Sequence, residues 1–411
     1  MSRFRPLALG CALASLTVAP GLARDDVPAP PSDPVFVALL TDGTTESGRI
    51  RRLGAEAGVA LVAGQDAERA IPFERIVKLT REGASPPSKN EGGGIVLFPD
   101  GDRLAHCRIG AAGEAKLDVH STPLENLAIP LDGVLGLILE ASSEPDAADA
   151  LIARVRSEPR KSELLWLGNG DKLPGLYGGI TEKRIAFRPA TGPIELDRTG
   201  VVALGFDPAQ VDYPRPAGPY FEMTLLDGSR LGLAEVRVER GQVVGRARFR
   251  AEVRFPVGEL AQVHAMNGPV SYLSDREPDR LLYEPYVGPT RPYRRDASVA
   301  GSRLRLGGRA FDRGLGTQSR TLLLYKLDPG TRRFQALIGL DDQAGPLGNV
   351  AFKVVLDGKV RFESPAMGAG EPPRAVDVDV AGGKVLVLIT EFGERGDVQD
   401  GADWVEARIV R

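Results

Sequence analysis

The residues best suited to binding a ligand lie near the C-terminus, where a tryptophan follows closely spaced aspartates. Trp404 stands next to Asp403 and shortly after Asp400, and a second acidic pair, Asp341-Asp342, occurs earlier in the chain. An aromatic ring packs well on the apolar face of a sugar ring, and carboxylates accept hydrogen bonds from sugar hydroxyls. This combination predicts a site for a polyhydroxylated ligand.

Each of these residues also has a structural explanation. A single tryptophan among alternating β residues can pack in a core instead of facing solvent. The pair Asp341-Asp342 can cap the end of a strand or hold a structural Ca²⁺, which prefers clustered oxygen ligands. Neither acidic cluster has the spacing of an EF-hand loop. Ca²⁺ is therefore the one cofactor that the sequence leaves open.

Tyr293 is a further candidate, in a connector that also contains Tyr286 and Arg294. The connector is aromatic and basic and has neither helix nor strand periodicity. Its side chains could stack or hydrogen-bond at the rim of a binding site. Alternatively, they attach the connector to the domain that follows.

The chain lacks the motifs of the common enzyme classes. Its three histidines have no metal-ligand spacing, and no nucleophile elbow, zinc-protease, phosphate-loop or dinucleotide-binding motif occurs. A glycosidase would need only two carboxylates, which 55 acidic residues could supply. Glycosidase catalytic domains are large, however, and the repeats described below leave no room for one. The sequence therefore predicts a non-catalytic protein.

The N-terminus has the pattern of a secretory signal peptide. A short basic stretch precedes an apolar run at 7–18, and small residues precede a predicted cleavage point after Ala23. An uncleaved anchor is the alternative, although the run is short for a span that needs about 20 residues. We predict a signal peptide at 1–23, a Pro-rich linker at 24–34, and no transmembrane segment after cleavage. The expected location is secreted, periplasmic or in the cell envelope.

The bulk composition predicts a folded protein of several domains. The chain has 411 residues, which is more than one hydrophobic core normally holds. Its 49 glycines and 32 prolines are spread along the chain, as expected for many short strands joined by tight turns. The formal net charge of -3 shows no basic surplus, so the composition argues against a nucleic-acid partner.

A repeated pattern fills the chain up to residue 268. Four times, an apolar stretch runs into Asp-Gly or Asn-Gly, a strong signal for a hairpin turn, and an alternating apolar segment follows. The pattern predicts four small β-barrel-like repeats with a weak resemblance to Sm-like or SH3-like barrels. The aromatic and basic residues expected of an RNA site are missing. The turns are Asp42-Gly43, Asp100-Gly101, Asn169-Gly170 and Asp227-Gly228.

These patterns predict the order of the domains. Residues 35–140 hold the first two repeats, and residues 162–268 hold the third and fourth. The segment 141–161 is a linker or a short helix that starts near Pro145, and a helix there would divide the repeats into two pairs. Residues 269–411 are predicted to form a β-sandwich with an N-terminal connector.

Short strand-like runs recur through the last of these domains. Each has four to eight residues and is bounded by Asp or Gly, which is typical of an all-β sandwich. The runs cover 321–325, 333–340, 350–356 and 384–391.

Four motifs in this region resemble the NPCBM family of carbohydrate-binding modules, which occur beside glycoside hydrolases and in exported proteins. The motifs follow the family's order over about residues 300–411. The resemblance implies a galactose-binding-like jelly roll, in which two antiparallel β-sheets pack face to face. The motifs are 313–316, Phe334 with 338–342, 350–354 with 356–358, and 396–404.

Gln318 departs from the family's pattern, in which histidine often stands at this position. Glutamine can still hydrogen-bond a ligand, but it cannot titrate near neutrality. Gln318 therefore joins the candidate ligand-binding residues, and the retention of binding with this substitution is open.

Together these observations predict an exported, non-catalytic protein that binds a glycan or polysaccharide through its C-terminal module. Other envelope proteins are possible partners. The alternative is a structural or protein-interaction protein of the cell envelope whose jelly roll no longer binds sugar. An exposed aromatic beside acidic side chains at one loop end favours the first interpretation. A buried Trp404 and a featureless loop end favour the second.

Overall fold

A computed structural model of the chain describes residues 33–64, 67–84, 92–113, 115–286 and 293–411. These residues contain 34 β-strands and one α-helix, so the all-β prediction is confirmed. No helix in this part of the chain is long and apolar enough to cross a membrane. The predicted signal peptide, and the predicted linker up to residue 32, lie outside the described residues.

The first twenty strands fall into four successive groups of five. In every group a short 3-10 turn precedes the fifth strand, and the fifth strand pairs with the first. Group one has β1 (Phe36–Leu40), β2 (Thr45–Gly54), β3 (Gly58–Val62), β4 (Arg69–Ile71) and β5 (Ile76–Arg81). Group two has β6 (Gly94–Leu97), β7 (Arg103–Ala112), β8 (Lys116–Ser121), β9 (Glu125–Pro130) and β10 (Gly136–Ile138).

The other two groups follow the same order after the helix. Group three has β11 (Glu163–Leu167), β12 (Lys172–Ile180), β13 (Arg184–Arg188), β14 (Ile194–Asp197) and β15 (Val201–Gly205). Group four has β16 (Tyr220–Leu225), β17 (Arg230–Glu239), β18 (Gln242–Ala247), β19 (Glu252–Pro256) and β20 (Leu260–Met266).

The first hairpin of each group turns at the glycine that the sequence pattern indicates. All four glycines have φ between 84° and 91°, a left-handed conformation that strains residues with a side chain. Aspartate fixes two of the turns, because the side chains of Asp42 and Asp227 accept hydrogen bonds from backbone N–H groups two residues later, at 2.9 and 2.8 Å. The glycines are Gly43, Gly101, Gly170 and Gly228.

The groups associate through their fifth strands. β5 pairs antiparallel with β20, which joins group one to group four, and β10 pairs with β15, which joins group two to group three. Along the chain, a helix separates groups one and two from groups three and four, and each of these pairings joins a group before the helix to a group after it. The exposed edge of each fifth strand is thereby completed by a strand of another group.

The helix α1 (Pro145–Ser157) lies in the segment predicted to be a linker or a short helix. Pro145 occupies the start of the helix, where its missing N–H costs no hydrogen bond. Val155 is fully buried in a small core with Ile138 and Trp166, so the helix is packed onto groups two and three. Arg154 and Arg156 lie in its last turn.

The C-terminal part is a sandwich of two antiparallel six-stranded sheets. In the first sheet the strand order is β23-β26-β34-β28-β32, with β21 paired to β34. These strands are β21 (Val270–Tyr272), β23 (Arg294–Arg295), β26 (Gly314–Gln318), β28 (Arg333–Leu340), β32 (Arg374–Asp379) and β34 (Gly401–Val410).

The second sheet has the order β22-β27-β33-β29-β30, with β31 paired to β29. Its strands are β22 (Arg280–Tyr283), β27 (Thr321–Lys326), β29 (Asn349–Leu356), β30 (Lys359–Glu363), β31 (Met367–Gly368) and β33 (Val385–Phe392). A separate hairpin joins β24 (Leu304–Leu306) to β25 (Arg309–Phe311). The four strand-like runs predicted in this region are confirmed as β27, β28, β29 and β33.

Side chains from the facing surfaces of the two sheets form the core of the sandwich. Along β29 and β33 every second residue is buried, as expected when one face of a strand packs on a core. The largest fully buried side chains of this core are those of Trp404, Tyr325, Phe334 and Phe352.

Charged side chains connect the sandwich to the strand groups, and residues Pro34–Arg411 form one compact unit. Lys78 of group one contacts both carboxylate oxygens of Glu406 in the sandwich, at 2.5 and 2.6 Å. Arg313 of the sandwich reaches Glu222 of group four at 2.8 Å. These contacts fix the relative position of the two parts.

Candidate functional site

Trp404 packs in the core of the sandwich and does not reach a surface. Its side chain is 0% exposed, on β34 between β26 and β28. Its ring contacts Phe352 edge-on at 5.1 Å, and its indole N–H donates to the Thr390 hydroxyl at 3.1 Å. The prediction that Trp404 binds a ligand is therefore wrong. A large apolar ring on a central strand is stabilised by burial between the sheets.

Asp400 is also fully buried and is occupied by structural hydrogen bonds. One carboxylate oxygen accepts from the Ser319 hydroxyl at 2.6 Å, and the other accepts from the backbone N–H of Asn349 at 2.8 Å. Asp400 thus ties the loop before β34 to the starts of β27 and β29. It has no exposed oxygen with which to bind a ligand, so the prediction of direct contact is wrong.

Asp341 and Asp403 form a buried carboxyl pair. Asp341 accepts from the backbone N–H groups of Arg305 and Gln343, at 3.2 and 2.9 Å, whereas neither oxygen of Asp403 has a donor when both groups are ionised. A proton shared with Asp341 supplies that donor. Burial, followed by the charge of Asp341, accordingly raises the pKa of Asp403 well above its usual value.

Asp342 faces solvent beside this pair, but its carboxylate is engaged in a turn. Its two oxygens accept from the backbone N–H groups of Gly307 and Gly308, each at 2.8 Å. Asp342 therefore caps the hairpin between β24 and β25, which is the strand-end alternative of the sequence analysis. Burial of Asp341 and Asp403, at 5% and 0% exposure, keeps that pair from contacting a ligand at the surface.

Gln318 and Tyr293 have separate structural roles. Gln318 is 4% exposed, and its side-chain N–H donates to the backbone carbonyl of Asp397 at 2.9 Å, which holds the loop before β34. The Tyr293 hydroxyl donates to Glu277, while the ring packs against the sandwich core. Tyr293 therefore attaches the connector to the sandwich, the second of the two alternatives for these residues.

An exposed aromatic side chain does occur at one end of the sandwich, but it belongs to Tyr286. This side chain is 74% exposed, the largest exposure among the large hydrophobic residues of the described chain. Its ring meets Phe392 edge-on at 6.0 Å, and its backbone N–H donates to the Asp397 carboxylate at 2.9 Å. Phe392 and Asp397 therefore hold Tyr286 in place, while most of its ring remains exposed to solvent.

The loop from β33 to β34 forms the rest of this surface, which we call the tyrosine end: Tyr286, Arg320, Glu391, Phe392 and the loop 393–400. The Arg320 guanidinium lies 3.5 Å from Glu284 and 3.6 Å from Glu391. Val398 is 46% exposed on the same loop. The surface thus combines one open ring with carboxylates and a guanidinium, the groups that bind a polyhydroxylated ligand.

Tyr286 is an aromatic residue of the predicted connector, but it is not among the predicted ligand-binding residues. Nothing in its local sequence distinguishes it from Tyr293, which packs against the core. The difference arises because Tyr286 meets Phe392 and Asp397, which lie far along the chain. A pattern of local residues carries no information about such a contact.

His264 and Cys107 are both buried. Burial lowers the pKa of His264 to about 4 and raises the pKa of Cys107 to about 12, so neither is a base or nucleophile near neutral pH. Among the described residues, no group of three or more His, Cys, Asp or Glu side chains is arranged to hold a metal ion.

Comparison with known proteins identifies similar sequences for the C-terminal part. An alpha-1,3-galactosidase B of Akkermansia muciniphila is 28% identical over 117 residues, which are 28% of this chain and 15% of that protein. A protein of Renibacterium salmoninarum is 28% identical over 110 residues, 27% of this chain and 7% of its own length. The chain thus spans less than a fifth of either curated relative.

Similar solved structures come from Clostridium perfringens. One is CBM51 from GH95 in complex with methyl-galactose, with 25% identity, a TM-score of 0.32, and coverage of 34% of this chain and 99% of that one. Another is CBM51-2 with INT domains from ZmpB in complex with GlcNAc, with 20% identity, a TM-score of 0.33, and coverage of 46% and 43%.

The family comparison concerns the same region as the motifs. Residues 270–410 match the model of the NPCBM/NEW2 domain, and this range covers both sheets of the sandwich together with the connector. The predicted resemblance at about 300–411 is therefore confirmed, and residues 270–410 of this chain are an NPCBM/NEW2 domain.

Proposed function

We propose that this chain is an exported, non-catalytic carbohydrate-binding protein that binds glycan at the tyrosine end of its NPCBM domain. The observation that carries the proposal is the Tyr286 ring, 74% exposed beside the Asp397 carboxylate at one end of the sandwich. This arrangement is the exposed aromatic beside acidic groups by which the sequence analysis separated glycan binding from a purely structural role.

The geometry of Tyr286 suits stacking on a sugar. An exposed apolar ring contributes little to the stability of the fold, because it is not buried. A ring that is held at a loop end and remains exposed is therefore available to contact a ligand. Phe392 supports the ring from one side, and the backbone bond to Asp397 fixes its attachment point. The apolar face of a pyranose can pack on the open ring without a large loss of side-chain entropy.

The polar groups around the ring supply orientation. Arg320 can donate to ring or hydroxyl oxygens of a sugar, and Glu284 and Glu391 can accept from its hydroxyl groups. Pairing of both carboxylates with one guanidinium keeps them oriented before a ligand arrives. Such pre-orientation lowers the entropic cost of binding.

The assignment as non-catalytic rests on the location of the carboxyl groups. Glycoside hydrolysis usually needs a general acid with a raised pKa next to the scissile bond. Asp403 is a carboxyl whose pKa is raised in this way, and it is 0% exposed within the sandwich. Export is inferred from the N-terminal pattern at 1–23.

A glycan array probed with the chain from residue 24 onward tests the proposal. We expect the wild-type protein to bind a defined set of glycans and the Tyr286→Ala variant to lose that binding. Tyr286→Phe keeps the ring and should retain most of the affinity, because stacking needs the ring and not the hydroxyl. Leu176→Ala, at a 54% exposed apolar residue on β12, is the matched control and should bind like the wild type.

Circular dichroism of each variant shows that the fold is intact. If the folded wild-type protein binds no glycan, or if Tyr286→Ala binds as well as wild type, the proposal is wrong. The first result would leave the structural or protein-interaction interpretation as the function to test.

A further inference from the structure

A large cavity lies where the sandwich meets strand groups two and four and the helix α1. Its volume is about 970 Å³. Arginines from each of these parts line it: Arg103 of β7, Arg156 of α1, Arg230 of β17, and Arg313 immediately before β26. Small-molecule sites in proteins usually have about 300–1,000 Å³. The cavity is therefore large enough for a ligand of several sugar units, and we call it the junction cavity.

The charge of the junction cavity is opposite to that of the whole chain. Nine arginines and five aspartates line it, whereas the chain carries a formal net charge of -3. Arginines gathered around one recess repel one another, and the repulsion is strongest among the buried ones, where the dielectric is low. The excess of positive charge therefore favours an anionic occupant.

Two acidic residues hold four of these arginines in place. The Asp312 carboxylate pairs with Arg103 and Arg303, at 3.0 and 2.9 Å. The Glu222 carboxylate pairs with Arg230 and Arg313, at 2.7 and 2.8 Å. Each carboxylate is thus shared by two guanidiniums, and Arg313 has a second partner in Asp275 at 2.6 Å.

The pKa values of Glu222 and Asp312 reflect the excess of positive charge around them. Burial acts to raise the pKa of Glu222, but the guanidiniums of Arg230 and Arg313 outweigh it and lower that pKa far below its usual value. The pKa of Asp312 is lowered in the same way by Arg103 and Arg303, against the effect of burial. Both carboxylates are therefore ionised near neutral pH, and each holds its two arginines by ion pairs.

Two other arginines of the cavity have no carboxylate partner within the described residues. Arg156 donates from one terminal nitrogen to the backbone carbonyl of Asp102 at 3.0 Å, and its buried Nε has no partner. Arg294 donates to the backbone carbonyl of Val299 at 3.3 Å. The Arg156 side chain is half-buried, and a guanidinium partly removed from water without an anion is unfavourable. Arg294 is exposed, so its guanidinium is accessible to a negatively charged ligand.

The remaining chemistry of the walls narrows the class of ligand. Guanidiniums pair with oxyanions in two-pronged geometry. Asp100 and Asp275 also line the cavity, and each pairs with an arginine at 2.6 Å. Their side chains are 32% and 45% exposed, so their remaining lone pairs can accept hydrogen bonds from hydroxyl groups. A site with both kinds of group fits a ligand that carries hydroxyls as well as an oxyanion.

We propose that the junction cavity is a second binding site, for an acidic oligosaccharide whose carboxylate or sulfate groups contact Arg156 and Arg294. The site is separate from the tyrosine end and needs both parts of the molecule, since Arg156 belongs to α1 and Arg294 to the sandwich connector. It does not depend on glycan binding at Tyr286.

Calorimetric titration of the chain from residue 24 onward tests this site. The probes are an oligogalacturonate, a sulfated galactan oligosaccharide, a neutral galactan oligosaccharide of equal length, and inorganic sulfate and phosphate alone. We expect at least one acidic oligosaccharide to bind, with an affinity that falls as salt increases. The neutral oligosaccharide and the inorganic anions should bind at least about tenfold more weakly. The carboxylated and sulfated probes distinguish the two sources of the oxyanion.

Two variants assign the binding to the cavity. Arg156→Gln should weaken binding of the acidic oligosaccharide about tenfold or more, because a charge-assisted hydrogen bond is lost. Arg156→Lys keeps the positive charge but loses the two-pronged geometry of the guanidinium. Its affinity for the acidic oligosaccharide should therefore lie between those of wild type and Arg156→Gln. Arg154→Gln is the matched control, since Arg154 is exposed in the same last turn of α1.

The tyrosine end supplies an internal check. Tyr286→Ala should leave acidic-oligosaccharide binding unchanged, which separates failure of this site from failure of the proposed function. The inference is overturned if no acidic oligosaccharide binds, if the neutral one or an inorganic anion binds equally well, or if folded Arg156→Gln and Arg294→Gln variants both retain wild-type affinity.

Discussion

The tyrosine end and the junction cavity are two candidate binding sites of one molecule that differ in shape, in charge and in the parts of the chain that form them. The tyrosine end is an open surface built around one aromatic ring, and its residues come from the sandwich and its connector. The junction cavity is a deep recess, rich in arginine, and is formed by the sandwich, the helix and two strand groups together. The first site can exist wherever the sandwich folds, whereas the second exists only when the parts are docked.

This difference shows what the strand groups contribute. Their fifth strands pair into a continuous framework, and Lys78, Glu222 and Arg230 place charges where the sandwich attaches. Such buried charges are costly to desolvate and are tolerated because each has an oppositely charged partner. The strand groups are therefore more than a spacer: they complete a charged interface that the sandwich alone lacks.

The largest expected effect on stability comes from Glu222→Gln, at the interface. Glu222, Arg230 and Arg313 have side chains 4%, 2% and 5% exposed, and loss of the carboxylate leaves Arg230 without a carboxylate partner and Arg313 with only the half-exposed Asp275. We expect the free energy of unfolding to fall by about 3–5 kcal/mol, measured by urea denaturation at neutral pH.

Glu68→Gln provides the matched control for that experiment. Glu68 also pairs with an arginine, Arg52, but the two side chains are 44% and 61% exposed. Its loss should change the free energy of unfolding by less than about 1 kcal/mol. An equally small effect of Glu222→Gln would show that the charged interface does not hold the two parts together.

The second prediction concerns the pH dependence of stability: as the pH falls, the interface between group four and the sandwich should lose stability. Burial lowers the pKa of His264 to about 4, and its ring contacts the Tyr272 hydroxyl at 2.8 Å between group four and the sandwich. Because the unfolded chain binds a proton near pH 6.5 and the folded chain does not, stability is complete above pH 6.5 and is lost as the pH falls toward 4. Between pH 7 and pH 5 this loss should be about 2 kcal/mol.

Denaturation curves of wild type and His264→Gln at pH 7, 6 and 5 measure this effect. The variant has no titrating ring at this position, so its stability should depend much less on pH in that range. His120→Gln, at an exposed histidine of β8, should leave the wild-type pH dependence unchanged. Equal slopes for wild type and His264→Gln would contradict the assignment.

The architecture was largely predictable because its signals are local. These hairpin turns have a glycine in the left-handed conformation, and the Asp-Gly pairs that contain Gly43 and Gly228 predict such turns from the sequence. Alternation of apolar residues predicted β29 and β33 because one side of each strand must face the core. The pairing of β5 with β20 was not predictable, since it depends on edges that no local pattern describes.

The candidate site was predicted poorly for a related physical reason. Trp404 and the aspartates around it have the residue types of a sugar site, but the same types also stabilise a sandwich core and its loops. Exposure separates the two roles, and exposure is a property of the assembled sheets. The arginines of the junction cavity, such as Arg103 and Arg313, are far apart in sequence and therefore formed no recognisable motif.

Asp403→Asn should have a smaller effect, in the opposite direction to Glu222→Gln. The pKa of Asp403 is raised by burial and by Asp341, so its contribution to stability is complete below its unfolded pKa of about 3.8 and is lost as the pH rises through the folded pKa. An amide stays neutral and can donate to Asp341 at every pH. We expect a gain of about 1 kcal/mol at neutral pH and no gain at pH 3.

Thermal denaturation of wild type and Asp403→Asn at both pH values measures that gain. Asp377→Asn is the control, because Asp377 pairs with Arg333 at a site where the side chain is 40% exposed. A loss of stability in Asp403→Asn at neutral pH would mean that this carboxylate is ionised and required in the folded protein, as a bound cation would demand.

The smallest expected effect on stability belongs to Tyr286→Ala, the variant with the largest expected effect on glycan binding. The side chain is 74% exposed, so its removal should change the free energy of unfolding by less than about 0.5 kcal/mol. Phe392 loses one edge contact but keeps its place at the end of β33. Urea denaturation and glycan binding of the same preparation measure both quantities. Substantial destabilisation would mean that Tyr286 attaches the connector to the sandwich, as Tyr293 does, and the contrast between an open ligand surface and a structural interface would then no longer hold.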